Sequence, residues 1–65
     1  MKVRDVIRLL HEDGWLLVAQ TGSHRQFKHA AKPGRVTVAG NLGHELASGT
    51  LSSIRKQAGI EVERP

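Results

Sequence analysis

The stretch "TGSHRQFKHAAKPGRVTV", residues 21–38, decides how this chain folds. "HRQFKH" at 24–29 is a strand with a two-residue period. Arg25, Phe27 and His29 fall on one face, and His24, Gln26 and Lys28 on the other. "GS" at 22–23 is a tight-turn signal in front of it, and "AAKPG" at 30–34 breaks the run behind it. "RVTVA" at 35–39, rich in β-branched residues, is a further strand. With Phe27 turned into a core, His24, Gln26 and Lys28 lie on the opposite face; a one-residue slip in register would exchange the two sets.

Working outward, "WLLVAQT" at 15–21 is apolar without helical period and reads as the strand preceding the turn. Ahead of it, residues 3–12, "VRDVIRLLHE", carry Val3, Val6, Ile7 and Leu10 at helical spacing on one stripe, with Arg4, Arg8 and Glu12 elsewhere. Gly14 suits the left-handed residue that stops a helix. After the third strand comes a glycine-punctuated loop, "GNLGHELASG". Ser48 is the expected N-cap of a second helix over 49–58, with Leu51, Ile54 and Ala58 inward and Gly59 closing it. The predicted order is α-β-β-β-α. It makes an α+β two-layer sandwich whose three-stranded antiparallel sheet has two helices on one face and nothing on the other.

Sixty-five residues predict one domain over 1–65, with "EVERP" at 61–65 as a loose tail. A chain of this size buries only about 60% of its unfolded surface, so its core is small. A hydrophobic fraction of 38% and a mean hydropathy of −0.34 fit a soluble globular protein. No apolar run approaches the roughly 18–20 residues that span a bilayer, and the charged N-terminal stretch lacks a signal peptide's apolar core. With no cysteine there is neither a disulfide framework nor a thiolate metal site. A cytoplasmic protein is expected. Ten Lys and Arg against six Asp and Glu give +4, which favours an anionic partner such as nucleic acid or an acidic protein.

Two of the four histidines and four of the ten Lys and Arg sit in residues 21–38. His24 follows the turn beside Ser23 and Arg25, and the strand from His24 to Lys28 spans roughly 13 Å, the reach of two or three RNA phosphates. Metal-free RNA cleavage needs a base for the 2′-OH proton, an acid for the departing 5′-oxygen, and cations near the phosphate. Histidine suits the proton transfers, and Arg25, Lys28 and Lys32 suit the electrostatic part. The competing view of His24 is a solvated polar residue at a strand start. His29 reads as structural, facing the helices or the strand's end, and His11 as a helix C-terminal histidine that complements the dipole; His44, in the long loop next to Glu45, could reach the sheet, but a loop of this size leaves its direction open. His24 and His29 diverge, no helical HxxxH pair exists, and no carboxylates cluster, so no metal site and no cofactor are expected. Adjacent strand side chains diverge, which also argues against Ser23 as a nucleophile activated by His24. With one Trp, one Phe and no Tyr, a base-stacking platform is not expected.

"LLHEDGW", "TGSHRQFKH", "KPGRVTV" and "ASGTLSSIRKQAGI" together resemble the HicA family of toxins, from about Val3 to Ile60. The resemblance implies a small mRNA interferase of a type II toxin–antitoxin pair, with a fold like the double-stranded RNA-binding domain. It implies cleavage through a histidine and silencing by a HicB antitoxin. The family's catalytic histidine falls on His24 and its turn glycine on Gly22. Ser23, Arg25, Lys28 and Lys32 are the candidate RNA contacts. The chain departs from the family at Ala30, where a proline is frequent, and at "AGNLGHEL", where a proline and a nearby histidine are common. The leading expectation is a metal-independent endoribonuclease acting on mRNA, with self-association possible and no membrane partner. Its rivals are an RNA-binding module that cuts nothing and a basic domain whose bare sheet face docks an acidic protein.

Overall fold

A computed structural model describes residues 1–60 of the chain; the stretch expected to form a loose tail, 61–65, lies outside the described residues. Helix α1 (Val3–Glu12) leads into strands β1 (Trp15–Thr21), β2 (His24–His29) and β3 (Val36–Ala39), and helix α2 (Ser48–Ala58) follows. The strands form an antiparallel sheet in the order β1-β2-β3. This is the α+β arrangement in the α-β-β-β-α order expected from the sequence.

The alternation in β2 does what its period requires. Phe27 is 1% exposed and pairs across to Leu17 and Val36. With Trp15, Val36 and Val38 it forms the inner face of the sheet, against Val3, Val6 and Leu10 of α1 and Ile54 and Ala58 of α2. Antiparallel partners point to the same face. The outer face therefore carries Leu16 with Lys28, Ala19 with Gln26 and Thr37, and Thr21 with His24 and Ala39. The two helices cover β2, β3 and the start of β1, and beyond Trp15 strand β1 is bare. Leu16, Leu17 and Val18 are 66%, 46% and 51% exposed, and a bulge between Leu17 and Ala19 interrupts the pairing there.

Two boundaries differ from expectation. β3 begins at Val36 rather than at Arg35, because Val36 is the first residue with a partner on β2. α2 begins at Ser48, and the capping position belongs to Ala47, which is extended (φ −63°, ψ 149°) and provides no side-chain cap. The cause is tertiary. Leu46 is buried and its N–H donates to the Met1 carbonyl at 3.0 Å, so the chain turns into the helix one residue early and Ala47 O receives the Leu51 N–H.

A polar clamp closes the end of the sheet where β2 finishes. The His29 ring packs edge-on against Trp15, with centroids 5.3 Å apart. Its Nδ1 accepts the Ala31 and Lys32 N–H groups at 2.9 and 3.2 Å, so the ring hydrogen sits on Nε2 and is donated to Asp13 O at 2.6 Å. Asp13 Oδ2 accepts from Trp15 Nε1 at 3.2 Å and from Lys32 Nζ at 2.5 Å. Lys32 Nζ also donates to Ala58 O and Gly59 O at the end of α2. The C-terminal ends of both helices are thus tied to the β2–β3 connection.

Gly14 lies inside this clamp with φ +100°, and a Cβ placed there would stand 2.7 Å from His29 Nε2. His29 is held by three hydrogen bonds and cannot swing away. Gly14→Ala is expected to combine backbone strain of about 1–3 kcal/mol with the weakening of one hydrogen bond, about 1 kcal/mol. Thermal melting checks this against Gly43→Ala, whose site has open space and no positive φ. The first variant should melt well below the parent, and the second beside it.

The Lys32 hydrogen bond, joined by the Lys32 charge, holds the Asp13 carboxyl below its ordinary range, against some opposing burial. The pair is about one-third exposed on each side, so solvent screens it. A carboxyl with a depressed folded-state pKa adds stability above its unfolded value, near 3.9, and that contribution is lost as pH falls through the lower folded value. Asp13→Asn is expected to lower the melting temperature at pH 7 and to make the acid limb of the stability curve shallower below about pH 4. An acid limb identical to the parent's would show that Asp13 does not couple to folding.

Candidate active-site cleft

The hairpin turn positions the first site residue. Thr21 and His24 are partners, leaving Gly22 and Ser23 as a two-residue loop, and Gly22 takes φ 57°, a left-handed value that glycine adopts without a Cβ penalty. His24 then leaves the turn on the outer face, exposed, with Ala39 of β3 opposite.

Beyond Ala39 the loop 40–46 folds back and is fixed by the start of α1. The first free N–H groups of that helix need acceptors. Val3 N–H donates to His44 O at 2.9 Å and Arg4 N–H to Leu42 O at 3.1 Å. His44 N–H donates to Asn41 O, Lys2 bridges to Glu45, and the Glu45 carboxylate pairs with the Met1 amino group. Loop, turn and the start of α2 enclose an open cleft of about 530 Å³. It is lined by Ser23 and His24 from the hairpin turn, Gly40, Asn41 and His44 from the loop, and Thr50 from α2. Both histidines are exposed, and the side-chain hydrogen bonds among the described residues leave their ring nitrogens free.

Arg25 sits behind the cleft. It is on the inner face of β2, and Nη1 donates to Ser23 O at 3.1 Å and to Gly40 O at 2.9 Å, while Gly40 N–H donates to Ser23 O at 3.2 Å. The guanidinium therefore holds the two backbones that carry His24 and the 40–46 loop at a fixed separation.

Of the residues singled out from the sequence, the fold brings Gly22, Ser23 and His24 together at the mouth of the cleft. Lys28 is exposed on the same outer face, four residues further along β2. Arg25 faces the other way and serves the backbone. Lys32 lies past the far end of β2, its ammonium engaged by Asp13, Ala58 and Gly59. Arg35 takes up a cationic position that the sequence reading passed over. Continuing the β2–β3 register places it opposite Lys28 on the outer face, and its Nη1 donates to Gln26 Oε1 at 2.6 Å. The alternation of Val36 and Val38 inward was the available signal for it. His44 lies in a loop without a period, and Thr50, at the start of α2, reaches the cleft only through the packing of that helix, so neither had such a signal.

A small α+β domain with a histidine cleft at the end of its sheet and lysine and arginine along the adjoining face has the makings of a site for an anionic polymer. The class is settled by comparison: residues 3–60 match the family described as HicA toxin of bacterial toxin-antitoxin. No curated protein matches the chain. The chain belongs to the HicA toxin family, and with that to the toxin side of a toxin–antitoxin system, which implies an antitoxin partner. Among the described residues, no helix is long and apolar enough to cross a membrane.

Proposed function

We propose that the protein is an endoribonuclease that cleaves mRNA without a metal, with His24 transferring protons at the scissile phosphate. The observation that carries this reading is the position of His24: exposed, its ring without a hydrogen bond among the described residues, and on the wall of the cleft where the bare sheet face begins. Lys28 and Arg35 on that face would draw in the phosphate backbone and hold it beside the cleft. Ser23 would offer a hydroxyl at the turn, Arg25 would keep the cleft walls in place, and Lys32 would act on the fold through its clamp.

The partner follows from the same surface. A HicB-type antitoxin covering the outer face would hide His24. The uncharged strand β1, exposed at Leu16, Leu17 and Val18, gives a protein partner apolar area beside that face. The antitoxin's contact would then be acidic over Lys28 and Arg35 and apolar over β1. The reading places the pair in the cytoplasm, where mRNA is found.

Incubation of a long mRNA with purified protein in excess EDTA tests the proposal, with His24→Ala alongside. Cleavage by the parent and intact RNA with the variant is the expected result. RNA left intact by both, with salt-dependent binding retained, would make the domain an RNA-binding module instead.

A further inference from the structure

Cleavage by 2′-OH attack requires two proton transfers of opposite sense, and one histidine accounts for only one of them at a time. The cleft supplies a second imidazole. Its lining contains two titratable side chains, His24 and His44, which come from different elements 20 residues apart. His44 is held in place by backbone bonds on both sides. Its carbonyl receives the Val3 N–H, its N–H binds Asn41 O, and its ring carbon Cδ2 lies 3.5 Å from where a Cβ on Gly40 would stand. Gly40 is in turn bonded to Arg25 and Ser23, so the segments that carry His24 and His44 into the cleft lining are joined by one hydrogen-bonded frame.

We infer that His44 is the second catalytic residue of the site, working with His24 as an acid–base pair on one phosphodiester; the inference rests on the ribonuclease reading above. One imidazole, neutral, takes the proton from the ribose 2′-OH as the O2′–P bond forms. The other, protonated, gives its proton to O5′ as the P–O5′ bond breaks. The products are a 2′,3′-cyclic phosphate and a 5′-hydroxyl end. No water is consumed, and exchange with solvent returns each imidazole to its starting state. The titratable and charged groups on the elements that meet the His44 loop are His24 in the same cleft lining, the Arg25 guanidinium on Gly40 O, Glu45 on the loop itself with its carboxylate on the Met1 amino group, Lys2 bridged to Glu45, and Arg4, whose N–H donates to Leu42 O. The first turns of α2, which close the cleft, contribute no titratable group.

The pairing makes a specific kinetic demand. Two groups needed in opposite protonation states give a bell-shaped dependence of rate on pH, and removal of one leaves a single limb. The experiment is cleavage of mRNA in EDTA across pH 5–9 by the parent, His44→Ala, His44→Gln and His24→Ala, with each variant's melting curve measured. The expected result is a loss of roughly 10²–10⁴-fold in rate for both His44 variants, with the fold intact and one limb gone. Added imidazole should restore part of the His44→Ala activity. Whichever limb survives identifies the role of His24, a rise with pH marking it as the base and a fall as the acid. If His44→Gln keeps the parent's rate and both limbs while His24→Ala is inactive, His44 is no catalyst and the one-histidine ribonuclease stands. If the parent itself leaves RNA intact, the ribonuclease reading falls and the pair with it.

Discussion

His24→Ala is expected to slow mRNA cleavage by roughly 10²–10⁴-fold, the range for loss of one general acid or base, while leaving the fold untouched. The two effects separate because of where the ring lies. It is exposed at the start of β2, makes no side-chain hydrogen bond among the described residues, and is no part of the core cluster. Such surface substitutions usually change stability by no more than about 0.5 kcal/mol. RNA binding should also persist, since Lys28 and Arg35 remain on the outer face. The decisive readings are the cleavage rate, the melting temperature and the affinity for uncleaved RNA, taken on one preparation. Loss of activity together with a drop of many degrees in melting temperature would return His24 to a structural role.

Trp15→Ala is expected to leave the chain largely unfolded at 25 °C. Trp15 is 0% exposed, the largest fully buried side chain, and the only buried residue of β1. Its ring also packs on His29, and its Nε1 donates to the Asp13 carboxylate that Lys32 binds. Truncation removes the ring's transfer energy and leaves a cavity, together about 3–5 kcal/mol. A single core in a chain this short rarely supplies more than about 3–5 kcal/mol in total. The two quantities are equal in size, which is why one substitution suffices. Far-UV circular dichroism with urea titration reads the outcome. Trp15→Phe, which keeps a ring and loses only the Nε1 bond, should remain folded with a reduced midpoint. A Trp15→Ala variant that unfolded cooperatively within a few degrees of the parent would refute this view of the core.

These two residues also mark how far the sequence could be read. The face assignment of β2 followed from strict alternation around Phe27, and the burial of Phe27 with exposure of His24 and Lys28 bears it out. The apolar stripe of α1, the turn at Gly22 and the helix-ending glycine at 14 were equally legible, since each depends on neighbours within one turn of helix or one step of strand. The site was legible only in part. His24 is local to the turn, whereas the other wall of its cleft comes from a loop that no periodicity describes.

Sequence by itself therefore determined the element order, the inward set of side chains and the exposure of His24, because period, turn chemistry and capping act over a few residues. Only the tertiary structure decided what the cations do. Lys32 is captured by Asp13, 19 residues away, and by the end of α2, 26 and 27 residues away; Arg25 is captured by Gly40, 15 residues on. It also decided that α2 starts at Ser48 behind an alanine, and that His44 lines the same cleft as His24. A charged side chain goes to whichever carboxylate or orphaned carbonyl the packing brings within reach, and that is a property of the assembled helices and sheet rather than of neighbours along the chain.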